Sequence, residues 1–220
     1  IFTPSVSVDD PAIHSLVRDL SRAERPLILA GYEAARANAG AHVLRLAEAI
    51  GAPVLTTYKG KGLIPENNPL AMGGAGLSPI ADAILLDLTK RCDLLLMIGY
   101  DPIEMRLGWL DPVMQAERIV EITAAAPDHA MHHAGSRIAA STADVTAALA
   151  SAVNPRTSWP GGEPGRARSQ IEAHFATRAD WGPHAIIDAI NEAAGDDGLV
   201  TVDSGAHRIL LSQKWVATRP

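Results

Sequence analysis

The chain has 220 residues, 47% of them apolar and 20% charged, with a formal charge of −6, the balance of a globular protein in water. Its Lys and Arg residues are scattered, which argues against a nucleic-acid partner, and no apolar run reaches the length of a membrane span. Cys92 is the sole cysteine, so a disulfide framework is excluded and a reducing, cytoplasmic setting is expected.

The residues from Ile1 to Asp10 have neither the basic start nor the apolar stretch of a secretory leader. The chain opens on Ile1 rather than Met, so a piece of something longer is expected. Asp10 and Pro11 then read as N-cap and first residue of a helix. Ile13, Leu16, Val17 and Leu20 share its inner face, and Pro26 ends it. "PLILAG" predicts a short buried strand stopped by Gly31. "AGAHVLRLAEAIG" predicts a second helix, with Val43, Leu44, Ala47 and Ile50 inward and Gly51 past its end. "APVLTT" is a second strand, and "YKGKGLIPENNP" a loop. "GGAGLSPIADAILLDLTKRCD" reads as a glycine turn, then a helix with Ser78 as N-cap, Pro79 next, and Ile80, Ile84, Leu85 and Leu88 on one face. "DLLLMIG" lacks polar alternation, as expected of a strand covered on both sides. "ERIVEI" and "SRIAAS" are two more strands, and "TADVTAALASAV" a closing helix. Strands alternating with helices at this spacing predict an α/β fold with a doubly wound, mostly parallel, Rossmann-like sheet over residues 1–153.

"NPRTSWPGGEPG" concentrates Pro and Gly from Asn154 to Gly165 and reads as a free connector open to proteases. With the helix after it, it makes a linker over 154–182. Residues 183–220 hold a helix presenting Ile186, Ile187 and Ile190, then "GLVTVD" as a buried strand, a glycine turn and a last helix. That unit reads as the start of an incomplete second domain.

The chemistry-bearing motifs are sparse. "GGAGLSP", with Gly74 and Gly76, precedes a helix whose N-terminus suits a phosphate; an ordinary turn is the alternative. Pro79 stands where a dinucleotide fingerprint has its third glycine, and no Gly-Lys-Ser/Thr follows. The second strand ends without the acidic residue that takes a nicotinamide ribose. "DHAMHH" groups His129, His132 and His133 beside Asp128 at no standard metal spacing, so a solvated loop is expected rather than a metal site. No G-x-S-x-G elbow is present, and Cys92 is expected to be buried and inert. Glu104 and Arg106 follow the "DLLLMIG" strand, where they belong either to a site or to a surface loop. In "VDSGAHRILLSQ", the turn at Gly205 with His207 beside it suits a diphosphate.

"KGKGLIPENNPLAMGG", "RCDLLLMIGYDPIE" and "VDSGAHRILLSQKW" together resemble thiamine-diphosphate-dependent enzymes of the acetolactate synthase type. The resemblance implies a central domain plus the start of the diphosphate-binding domain. It further implies thiamine diphosphate and Mg²⁺ as cofactors of the full-length enzyme, and a 2-keto acid decarboxylated and then ligated or released. Ser204, Gly205, Ala206 and His207 match the turn that meets the cofactor diphosphate, and the family often has Gln where Ala206 stands. The family's activating glutamate and its "GDG…N" metal motif belong to the neighbouring N- and C-terminal domains; "GDDG" at Gly195–Gly198 is not that motif. The fragment is then structural and inactive alone, with no catalytic residue of its own, in a homodimer or homotetramer. "GYDPIE" is closest to the flavin-free members. Flavin-binding relatives carry "ARFDDR"-like residues where Tyr100, Asp101 and Pro102 stand, which argues against FAD. The alternative reading is a stand-alone nucleotide-binding module for FAD, NAD or ADP.

Overall fold

A computed structural model of the chain describes residues 6–109, 116–125, 131–195 and 197–218. Helix α1 (Pro11–Arg22) begins as its sequence dictates: the Asp10 carboxylate accepts the Ala12 N–H at 2.8 Å, and Pro11 occupies the first turn. Strand β1 (Pro26–Ala30) follows, then the short α2 (Tyr32–Arg36) and α3 (Gly40–Ile50), which stops at the left-handed Gly51. Next come β2 (Val54–Thr57), β3 (Ala71–Ala75), α4 (Pro79–Arg91) and β4 (Leu94–Ile98). β5 (Ile119–Thr123), β6 (Ser136–Ala139) and α5 (Thr142–Ala152) complete the first half. α6 (Glu163–Phe175), α7 (Pro183–Ala194) and α8 (Ala206–Lys214) follow.

The six strands form one parallel sheet in the order β3-β2-β1-β4-β5-β6. Successive strand residues face opposite layers. Ile28, Val54, Leu96 and Ile98 pack against Ile13, Leu20, Val43 and Leu149 of α1, α3 and α5. Leu27, Leu29, Leu55, Leu95 and Met97 pack against Leu85, Leu88 and Ile171 of α4 and α6. Helices therefore cover both faces, and the central strands are apolar throughout, as a doubly wound α/β fold requires.

Several expectations need correction. The glycine run at residues 73–76 is not simply a turn, because Gly74 lies within β3 and pairs with Thr56. The connector is not free. The Arg156 N–H donates to Ala49 O at 2.7 Å, and its guanidinium to Leu20 O and Ser21 O at 2.8 and 2.7 Å. Trp159 is buried, and its indole N–H donates to Pro26 O at 2.8 Å. The last residues of the connector already form the first turn of α6. "GLVTVD" forms no ladder with any described strand, and Leu199 is 95% exposed. A strand is held by hydrogen bonds to a neighbour, and no described segment supplies one. On α4 the inner face is Leu85 and Leu88, with Ile80 exposed; on α3, Leu46 is buried and Leu44 only partly so.

Candidate functional site

In a sheet of this order the winding direction reverses between β1 and β4, and ligands of such folds gather at the carboxyl ends of the strands there. Gly31 leaves β1 and Gly99 leaves β4. A methyl group on Gly31 would stand 2.3 Å from the Gly99 carbonyl oxygen, and one on Gly99 2.4 Å from the Ala34 nitrogen. The two loops are thus in backbone contact, which only glycine permits.

Glu104 closes the space beside them. It is 6% exposed, on the 3-10 turn Pro102–Glu104 after β4. One carboxylate oxygen accepts the Thr57 hydroxyl at the end of β2, and the other the Tyr32 N–H at the start of α2, at 3.4 Å. Burial raises its pKa above the usual carboxylate value, while the Thr57 and Tyr32 hydrogen bonds and the Lys59 charge pull the other way. Glu104 is therefore part of neither a surface loop nor an open site. Arg106 is exposed. Asp82 plays a similar part at β3. Its carboxylate accepts the Gly76 N–H at 2.8 Å, and burial raises its pKa as well. Met105 packs over Gly76, whose φ is +89°.

The structure places the other candidates apart from this edge. Ser204, Gly205, Ala206 and His207 are all exposed, at the N-terminal end of α8. The His207 ring curls back over Gly205, where a methyl group would stand 2.6 Å from it. Asp203 accepts the Ser204 N–H at 2.6 Å. The far end of α8 is anchored: Gln213 Nε2 donates to Gly74 O at 2.9 Å, the Glu66 N–H donates to Ala217 O at 2.8 Å, and the Glu66 carboxylate accepts the Ala217 N–H at 2.8 Å. Gly74 therefore meets α8 roughly 10 Å along the helix from its first residue and is not gathered with the Gly205 turn. Between that helix and the body lies a cavity of about 400 Å³, walled by Tyr58, Leu77, Val200, Leu211 and Trp215.

The histidine cluster resolves differently from a solvated loop. His132 Nε2 lies 3.3 Å from Glu121 Oε1, and its ring meets Tyr100 edge-on at 5.8 Å. Glu121, 1% exposed in β5, also pairs with Arg137. Burial pushes its pKa up, but the hydrogen bonds and charges of His132 and Arg137 outweigh that and leave it lowered. His133 is exposed, and His129 and Asp128 lie outside the described residues. Among the described residues no three His, Cys, Asp or Glu side chains converge as a metal site. Cys92 is buried, with its thiol pKa pushed up to about 12 by burial, so it is not a nucleophile at neutral pH. No helix of the described residues is long and apolar enough to cross a membrane.

Sequence reasoning flagged Glu104 but not its partners, and it missed the roles of Asp82 and Glu121 altogether. Their partners are distant in sequence or sit on turns, and no spacing announces them.

Comparison with known proteins agrees with this architecture. The family model described as "Thiamine pyrophosphate enzyme, central domain" matches residues 13–153. A probable acetolactate synthase large subunit of Methanocaldococcus jannaschii is 41% identical over 80 residues, 36% of this chain and 13% of that protein. A 2-hydroxyacyl-CoA lyase of Oryza sativa is 34% identical over 101 residues, 46% of this chain and 15% of that protein. An acetolactate synthase large subunit of Parasynechococcus marenigrum is 33% identical over 111 residues, 50% of this chain and 18% of that protein. The matched stretch thus spans less than a fifth of each relative.

Proposed function

The chain belongs to the thiamine pyrophosphate enzyme central-domain family, and from that premise we propose that it is the structural middle of a longer enzyme acting on 2-keto acids. Residues 1–153 form the central domain, 154–182 lead out of it, and 183–220 open the diphosphate-binding domain. The observation that supports this reading is the contrast within the chain. The carboxyl edge of the sheet is filled by its own side chains, whereas the Ser204–His207 turn and the apolar segment before it stand exposed.

The turn suits one end of a diphosphate. The first backbone N–H groups of a helix have no partner within it, and the positive end of α8 favours an anion there. The Ser204 hydroxyl and the His207 ring add two side-chain donors. Ala206 adds none. Mg²⁺ would need an oxygen-rich ligand set, and the described residues bring no three acidic side chains together; its ligands belong to a further segment. Thiamine diphosphate supplies the electron sink for breaking the bond to the substrate carboxyl group, while protein groups orient the reactants. This chain's contribution is to space the catalytic domains and fix α8 against β3 through Gln213, with Glu66 holding Ala217 beyond the helix. A cytoplasmic homodimer or homotetramer completes the proposal.

The test compares two polypeptides given pyruvate, thiamine diphosphate and Mg²⁺. The intact gene product that contains this chain consumes pyruvate or another 2-keto acid, and the 220-residue chain does not. An intact product that neither binds thiamine diphosphate nor turns over any 2-keto acid would end this reading.

A further inference from the structure

A parallel sheet of this strand order takes up phosphates through backbone N–H groups at the carboxyl ends of its strands, and glycines let the ligand approach closely. Here those donors are engaged by the chain itself. The Gly31 N–H donates to Ile98 O at 2.9 Å and the Glu33 N–H to Gly99 O at 3.2 Å. The Gly60 N–H donates to the Thr57 hydroxyl at 3.1 Å, and the Gly76 N–H to the Asp82 carboxylate at 2.8 Å. The glycines bring backbone against backbone, with no room for even a methyl group at Gly31 or Gly99.

Glu104 is the member of this set that joins three strand ends. Its carboxylate bridges Thr57 at the end of β2 and Tyr32 after β1 from a turn that follows β4. Burying a carboxylate costs free energy, and no cation hydrogen-bonds to this one among the described residues. A ligand phosphate entering here would have to displace Glu104 from its donors and also face its charge.

We infer that Glu104 is the residue by which this domain refuses a nucleotide: its carboxylate fills the place of a ligand phosphate and holds the ends of β1, β2 and β4 closed. The inference concerns the sheet edge alone and is independent of thiamine diphosphate.

Calorimetric titration of the protein with ADP, NAD⁺ and FAD tests it, alongside the Glu104→Ala and Glu104→Gln variants, with circular dichroism as the check of folding. The wild type shows no saturable binding up to about 1 mM of any of the three, Glu104→Ala gains at least about tenfold in affinity for ADP, and Glu104→Gln gains less. Should Glu104→Ala fail to fold, Glu104→Gln decides: it keeps the size of the side chain and removes the charge. Saturable wild-type binding at micromolar ligand overturns the inference. So do folded variants as inert as the wild type. Thiamine diphosphate, titrated separately, reports on the proposed function without bearing on Glu104.

Discussion

The sheet body and the C-terminal stretch obey different physics although they share one chain. In the body, β1 and β4 are buried along their whole length, and even the glycine loops are packed backbone to backbone. In the stretch after α6, Trp181 is 80% exposed and Leu199 95%, with Val200 and Val202 also open. The helices of this stretch are tied down, α8 to the body through Gln213 and the Glu66–Ala217 pair, and α7 through the Lys214–Asp188 pair and the buried Ile187. At the carboxyl ends of β1, β2 and β4 the body's backbone donors are already engaged by its own groups. An extended apolar segment without a ladder is the part with bonds still to make. The difference teaches that a packed, fully paired sheet and an exposed segment without a ladder can follow one another in one chain.

The largest expected effect comes from cutting into the body. Leu95→Ala removes a fully buried side chain between β4 and α4 and costs about 2–5 kcal/mol in urea unfolding. Leu199→Ala, in the exposed segment, stays within about 0.5 kcal/mol of wild type. Equal losses at the two positions would erase the contrast.

Next is the segment from Asn154 to Gly165, which Arg156 and Trp159 hydrogen-bond to the body. Arg156→Ala removes two guanidinium bonds to the end of α1 and is expected to cost about 1–2 kcal/mol, discounted for partial exposure. Limited proteolysis of the wild type cuts between Leu199 and Gly205 and spares residues 154–165. A first cut beside Arg156 would return that segment to the status of a free tether.

The smallest effect is electrostatic. Glu121 has a lowered pKa in the fold because His132 and Arg137 outweigh the push of burial. A carboxyl whose folded pKa lies below its unfolded value stabilises the fold above the unfolded value, and that contribution is lost as pH falls through the folded one. Glu104 has the opposite sign: burial raises its pKa, so its contribution is present at low pH and lost as pH rises through the folded value. Thermal melts of Glu121→Gln therefore show a shallower loss of stability on acidification than wild type, and those of Glu104→Gln a shallower loss on the way up. Variants whose melting profiles run parallel to the wild type from acid to neutral pH would show that neither carboxyl matters to the fold's pH dependence.

Much of the body was legible because its signals are local. Asp10-Pro11 and Ser78-Pro79 mark two helix starts, Gly51 marks an end, and the runs "PLILA" and "LLLMI" read as buried strands. β3 was not legible, since "AMGGA" has little strand propensity and is held by pairing with β2 and by Gln213 from α8. The connector's Pro and Gly content suggested freedom, but Trp159 and Arg156 reach back more than a hundred residues for their partners. The Glu104 bridge spans 47 residues to Thr57 and 72 to Tyr32, separations at which no sequence period operates. The exposed turn at Ser204–His207 is a motif visible in the sequence whose surroundings the sequence did not reveal.

Residue-resolved amide hydrogen exchange, with and without thiamine diphosphate and Mg²⁺, tests the contrast most directly. The account predicts strong protection for residues 26–30 and 94–98, exchange near unfolded rates for 199–204 without cofactor, and no change in the two strands when the cofactor is added. Protection of 199–204 in the cofactor-free chain equal to that of the strands, or exchange of 26–30 and 94–98 as fast as that of 199–204, would contradict it.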